Sequence, residues 1–336
     1  MNRRRSFITL VAGAAVALAA QTAGAQAITL KMAHQWPQDE SDYIVHTGTM
    51  FAKEIERRSN GQIKINIFPA ESLVKAGATH TALKSGAVDL AVYPLIYSAG
   101  AIPEMNLSLL PGVWKSHDDV YRFRESSAWK KLEQKAEQYG FKTLTWMQIS
   151  GGVASTKKPV MVPADVAGAK ARTAGKMMEA AIQKAGASTV SVTSPETYNA
   201  MQLGVLDTVW TSSSTFGSLR LYEVSKYYTS PEKLSIFFTL EPIVISMKTW
   251  NRLTPEQQKL FVEVGKSLEA QALEGARKED GRVAKLFLDH GVKVQQLSPE
   301  AWNEWQKLFR ESSFEKFRKD VPNGAQLLDE TLSFYK

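Results

Sequence analysis

The sequence predicts a two-lobed α/β protein on three observations. Strand and helix patterns alternate along the chain, a helix–glycine–strand unit occurs once in each half, and a 336-residue chain without cysteine needs a large apolar core. The repeated unit is "ATHTALKSGAVDLAV" (Ala78 to Val92), which aligns without gaps to "ETYNAMQLGVLDTVW" (Glu196 to Trp210). Identities fall at Thr79/Thr197, Ala82/Ala200, Gly86/Gly204 and Asp89/Asp207. Each copy reads as a short helix stopped by glycine, which takes the left-handed conformation freely, followed by an acidic residue and a strand. One copy per half is the pattern of a protein built from two similar lobes.

Taken in order, the chain opens on "MNRRRSF", a basic stretch, then "ITLVAGAAVALAA", an apolar one, with small-residue cleavage sites after Ala25 or Ala27. This is a secretory signal peptide, too short for a membrane span, and "RRSFI" also fits a twin-arginine export signal. "ITLKMAHQW" then reads as a strand, "YIVHTGTMFAKEIERRS" as an amphipathic helix ending at Asn60-Gly61, and "QIKINIFP" as a strand. "FKTLTWMQIS" and "EPIVISMKTW" are further strands, and the alternation argues for largely parallel sheets. The second repeat starts with Ser194 as N-cap and Pro195 in the first helical position. Thr254, Pro255 and Gln257 form a capping-box pattern that opens one long helix, or two in series broken at Gly281. "SPEAWNEWQKLF" repeats the Ser-Pro start, with Trp302, Trp305, Leu308 and Phe309 on one helical face.

Composition narrows the function. Hydrophobic residues at 44% and aromatics at 10% describe a globular chain rather than a disordered one. The net charge of +7 includes Arg3, Arg4 and Arg5 of the signal, and elsewhere bases and acids interleave, so nucleic acid is not an expected partner. The five histidines lie far apart without metal-ligand spacing, "ISGGVAS" lacks the nucleophile elbow, and the glycines at 168 and 175 are too widely spaced for a phosphate loop. His34 in "AHQWP" reads as a loop or core histidine. No catalytic residue, cofactor or metal is assigned, and the chain is not expected to be an enzyme.

Ligands of open α/β sheets bind where strands end at their carboxyl side. That position is Tyr93 to Tyr97 in the first half and Trp210 to Phe216 in the second. "VAGAKARTAG" (166 to 175) adds Arg172 at the end of a short strand among small residues that leave room for a ligand. Strand alternation puts Lys170 on the same side as Arg172, as the solvated partner.

Four segments, "NGQIKINIFPAESL", "ALKSGAVDL", "DVAGAKAR" and "SPETYNAMQLGVLD", resemble in order and spacing the solute-binding proteins of tripartite ATP-independent periplasmic (TRAP) transporters. The resemblance runs from about Ile28 to near the C-terminus. It implies a periplasmic binding protein whose ligand cleft lies between two lobes joined by crossing strands, with a long helix spanning both. It also implies a bound organic acid paired with an arginine, which matches Arg172, and a membrane permease as partner of a monomeric receptor. Lobe I is expected over 28–150 and about 240–279, lobe II over 151–239 and about 280–336.

Arginine suits this role physically, because its planar fork makes two parallel hydrogen bonds to a carboxylate. The chain departs from some relatives in having Ser150-Gly151-Gly152 where a second arginine can stand, and Val209-Trp210-Thr211-Ser212 where an acidic residue often follows the strand. The expected pocket is therefore Arg172 with Thr211 and Ser212 as hydroxyls and Tyr93, Trp146 and Trp210 as aromatics, with Trp36 and Phe237 further away. Such a site suits a monocarboxylate with an apolar or aromatic, oxygen-substituted body. The competing readings are a receptor of an ATP-driven importer and a secreted enzyme acting on a small organic acid.

Overall fold

The computed structural model describes residues 27–335, so the signal-peptide reading falls on residues outside that range. Twelve strands occur among the described residues: β1 (Ile28–Ala33), β2 (Ile63–Phe68), β3 (Leu90–Val92), β4 (Phe141–Thr145), β5 (Gln148–Ser155), β6 (Lys170–Arg172), β7 (Ser188–Thr189), β8 (Thr208–Ser212), β9 (Tyr227–Ser230), β10 (Phe237–Leu240), β11 (Ile243–Ser246) and β12 (Lys293–Gln296). They form two sheets. The first has the order β2-β1-β3-β11-β4, the second β12-β9-β5-β8-β6-β7, with β10 also paired to β5.

Both sheets are mixed rather than largely parallel. β1 lies parallel to β2 and β3, and β6 parallel to β7 and β8, each joined through helices. β11 runs antiparallel to β3 and β4, and β5 antiparallel to β8, β9 and β10. The reason lies in the segments "FKTLTWMQIS" and "FFTLEPIVIS", each of which is two strands. The chain leaves the first sheet after β4, crosses at Trp146-Met147 and enters the second as β5. It returns from β10 to β11 across Glu241-Pro242. No crossover helix accompanies either passage, so the strands that make it are free to pair antiparallel. The two crossings are tied together, since the Glu241 N–H donates to the Met147 carbonyl at 3.0 Å.

The internal repeat is structural. The helices Thr79–Ser85 and Thr197–Gln202 are each followed by a left-handed glycine, Gly86 (φ 75°) and Gly204 (φ 70°). Asp89 accepts from the Lys31 N–H at the parallel neighbour β1 (2.9 Å), and Asp207 from the Lys170 N–H at the parallel neighbour β6 (3.0 Å). The shared aspartates thus fasten equivalent strand pairs in the two sheets.

Pro255–Asp289 is one helix of 35 residues, unbroken at Gly281. Its capping box is formed, with Gln257 N–H donating to Thr254 Oγ1 (3.3 Å) and Thr254 N–H to Gln257 Oε1 (2.9 Å). It packs beside the helix Tyr43–Arg58 and β4 on the first lobe and beside the helix Ser213–Ser218 on the second, so it spans both. The chain beyond it serves both lobes as well. β12 pairs with β9 and the helix Pro299–Phe309 packs in the second-sheet core, while Phe317, Leu327 and Leu328 join the core of the first.

Candidate functional site

Arg172 closes β6, where its backbone pairs with Val209 of β8. The side chain turns inward instead of sharing the exposed side of Lys170, and it is 1% exposed. Three of its N–H groups meet neutral acceptors: Nε donates to the Val192 carbonyl (3.1 Å), Nη1 to the Trp210 carbonyl (3.1 Å) and Nη2 to Ser194 Oγ (3.2 Å). Among the described residues no carboxylate lies within ion-pair distance of it. Burial pulls its pKa below the ordinary arginine value, with partial compensation from Tyr97 and Glu196. A buried guanidinium without a counter-charge is costly, and an anion is the group that offsets the cost.

The helical cap beside it differs from the sequence expectation. Thr193, not Ser194, precedes the first turn, and Thr193 N–H and Oγ1 both bond Glu196 (2.6 Å each). Ser194 Oγ is thereby left for Arg172. Ser194 also reaches the other lobe, because its N–H donates to the Tyr97 hydroxyl (3.2 Å), which donates in turn to Gln35 Oε1 (3.0 Å). Gln35 follows β1 and Tyr97 follows β3, so a polar chain Arg172–Ser194–Tyr97–Gln35 joins the two lobes at their strand ends.

A cleft of about 270 Å³ opens at this junction, lined by Tyr97, Arg172, Thr173, Gly175, Thr193 and Glu196 among others. Deeper lies a cavity of about 10 Å³ walled by Gln35, Tyr97, Thr211, Ser212, Phe237 and Glu241. Two larger hollows lie away from the cleft, about 340 Å³ between the helices Ser127–Gln138 and Gly324–Ser333 and about 440 Å³ at the starts of β1 and β3. Most of their charged groups are paired, Lys131 with Glu330, Lys135 with Glu104 and Arg252 with Asp89, and Lys31 is exposed to solvent. Of these three hollows, the cleft at Arg172 is the one that presents a buried cation without an ion pair.

Of the residues expected from sequence, Arg172, Thr211, Ser212 and Phe237 meet at this cleft and its inner cavity. Tyr93 lines a neighbouring cavity with His34 and Gln35, its ring edge-on to Phe141 at 5.7 Å and its buried hydroxyl without a partner. The Trp210 indole packs on Trp305 (5.1 Å) in the second-lobe core, so Trp210 touches Arg172 only through its carbonyl. The Trp146 indole packs on Trp129 (4.7 Å) in the first-lobe core. Trp36 bridges the lobes, its Nε1 donating to Thr215 Oγ1 at 3.1 Å.

Gly151 explains how Phe237 reaches the cavity wall. A β-carbon on Gly151 would lie 2.0 Å from the Phe237 ring, and one on Gly152 would lie 2.4 Å from the Thr229 carbonyl oxygen. The glycine pair is therefore the floor on which β10 and β9 lie. His34 is buried beside Gln38, and desolvation lowers its pKa. Lys75 pairs with Glu71 at the surface (3.1 Å). Gln35, Tyr97, Ser194, Thr239 and Glu241 complete the lining without being singled out as ligand contacts by sequence. Tyr97 ends a segment already marked as strand-end, but a lone glutamine, serine or glutamate carries no spacing signal.

The whole-chain comparisons agree with this architecture. The family model for bacterial extracellular solute-binding protein, family 7, matches residues 32–320. A solute-binding protein of Albidiferax ferrireducens is 34% identical over 331 residues, 98% of each chain. A crystal structure of a TRAP periplasmic solute-binding protein from Rhodoferax ferrireducens with bound malonate superposes with a TM-score of 0.89 at 34% identity, covering 91% of this chain and 98% of that one. A TRAP periplasmic solute-binding protein from Sulfitobacter with bound β-D-galacturonate shares the fold at a TM-score of 0.81 and 23% identity, covering 91% of this chain and 99% of that one. With two lobes, a helix across both and a strand-end cleft between them, the chain belongs to the family 7 bacterial extracellular solute-binding proteins, the TRAP-transporter receptors that its sequence resembles.

Proposed function

We propose that this protein binds a small organic acid in the periplasm through its carboxylate on Arg172, and presents it to the membrane permease of a TRAP transporter. The observation that carries the reading is the buried guanidinium of Arg172, held by three neutral acceptors at the strand-end cleft. A carboxylate entering the cleft supplies the missing counter-charge and exchanges some of those bonds for charge-assisted ones. The bound acids named for the relatives above, malonate at 34% identity and galacturonate at 23%, both carry a carboxylate. The finer reading is a solute with one carboxylate clamped by a cation. Among the described residues no second cation lines the cleft or the inner cavity, and Phe237, Thr211 and Ser212 offer an apolar face and hydroxyls instead.

A thermal-shift panel of short organic acids tests this, since any ligand of the native state raises the melting temperature by mass action. Carboxylates of three to six carbons are expected to stabilise the protein, and their methyl esters are not. A panel in which esters and acids act alike contradicts a carboxylate site. Mass spectrometry of the acid after incubation is expected to return it unchanged, as suits a receptor.

A further inference from the structure

We propose that Glu241 is a specificity-determining residue of this site, bonding through Oε2 to an oxygen at the end of the solute remote from Arg172. The inference rests on the carboxylate-receptor reading and adds the chemistry of the second pole. Glu241 sits on the β10–β11 crossing, 4% exposed, in the wall of the inner cavity. Ser212 shares its wall, yet Glu241 Oε2 is buried without a partner, and so is Thr239 Oγ1 on the same wall. Arg172 grips the Trp210 carbonyl, while Glu241 shares the cavity wall with Ser212, two residues further along β8, so the two poles face the solute from different points of one strand.

The protonation state decides what the second pole accepts. Burial first, and then the neighbouring carboxyl of Asp42, push the Glu241 pKa up to about 8. Near neutral pH it carries a proton, so Oε2 can donate to an oxo group, a hydroxyl or a second carboxylate. This provides for a far carboxylate without a second arginine. The other ionisable groups around it are Asp42 and Tyr43 at the start of the helix Tyr43–Arg58, and Tyr97 across the cavity.

Isothermal titration with malonate and with propionate, which matches it in length but lacks the distal oxygens, tests the assignment. In the wild type at pH 6.5 malonate is expected to bind at least tenfold more tightly than propionate, and this advantage falls at least tenfold by pH 9. Glu241→Leu is expected to erase the advantage. Glu241→Gln, whose amide can still donate, is expected to keep it and to remove its pH dependence. Asp42→Asn is expected to retain that dependence. An advantage unchanged in Glu241→Leu, or a pH dependence that survives in Glu241→Gln or vanishes in Asp42→Asn, overturns the role of Glu241 alone. A wild type that binds propionate as well as malonate does the same. If neither acid binds, and no other carboxylate does, the receptor reading falls and the inference with it.

Discussion

Arg172 and Glu241 are both ionisable side chains buried without a counter-charge at the junction of the lobes, and their burial has consequences that can be measured. In the unfolded chain Asp42 and Glu241 titrate near 3.8 and 4.5, whereas burial holds them at about 7 and about 8 in the fold. From about pH 4 to about pH 8 the native protein therefore keeps protons that the unfolded chain has released, and stability falls as pH rises through this window. Glu241→Gln removes one of these contributions, so its urea midpoint should gain on the wild type between pH 5 and pH 8; a constant difference contradicts the raised pKa. Gly151→Ala should cost about 1–3 kcal/mol by overpacking against Phe237, and less when combined with Phe237→Ala than the two single costs added. Arg172 was singled out in the sequence by its strand end and by the family segment it matches, and it lies buried at the cleft, although alternation had set it beside the exposed Lys170. The pocket aromatics were legible only in part. Period-2 alternation separates two faces of a strand without saying which one meets the cleft, and both the Trp210 and Trp146 indoles turned to the cores.

Among the elements, the long helix shows how local rules and packing divide the work. Its start was written in Thr254, Pro255 and Gln257, and the capping box formed as expected. The glycines were less legible, because propensity marks a weak point without showing what lies against it. Gly281 marked a break, yet the helix runs through it, and a β-carbon there would meet only the flexible end of Glu232 at 3.3 Å. Gly265 drew no notice, yet a β-carbon there would lie 2.0 Å from the Leu144 carbonyl oxygen of β4. Gly281→Ala should thus stabilise the protein by up to about 1 kcal/mol through helix propensity. Gly265→Ala should destabilise it, because rigid backbone stands in the way. Chemical denaturation of the two variants checks this, and equal effects would contradict the packing described. The crossing strands were hidden for a related reason. A continuous apolar run does not show that its two halves join different sheets, and only Trp146-Met147 and Glu241-Pro242 mark the passages.

At the scale of the molecule, the two lobes meet through Arg172–Ser194–Tyr97–Gln35 and through Trp36–Thr215, with an inner cavity of only about 10 Å³. Contacts from both lobes surround the site, so the arrangement predicts that the lobes part to admit the solute and close upon it. The internal repeat made two lobes legible, but not the contacts between them, which join residues far apart in sequence. Solution scattering should show a smaller radius of gyration with saturating solute than without. The most direct measurement on the carboxylate clamp is calorimetric titration of the best-binding acid into wild type, Arg172→Lys and Arg172→Ala, with folding checked by circular dichroism. Loss of the charge-assisted pair should cost about 2–5 kcal/mol in Arg172→Ala, and Arg172→Lys should also bind weakly because a lysine cannot reproduce the two parallel bonds. Wild-type affinity in a folded Arg172→Ala protein would contradict the clamp.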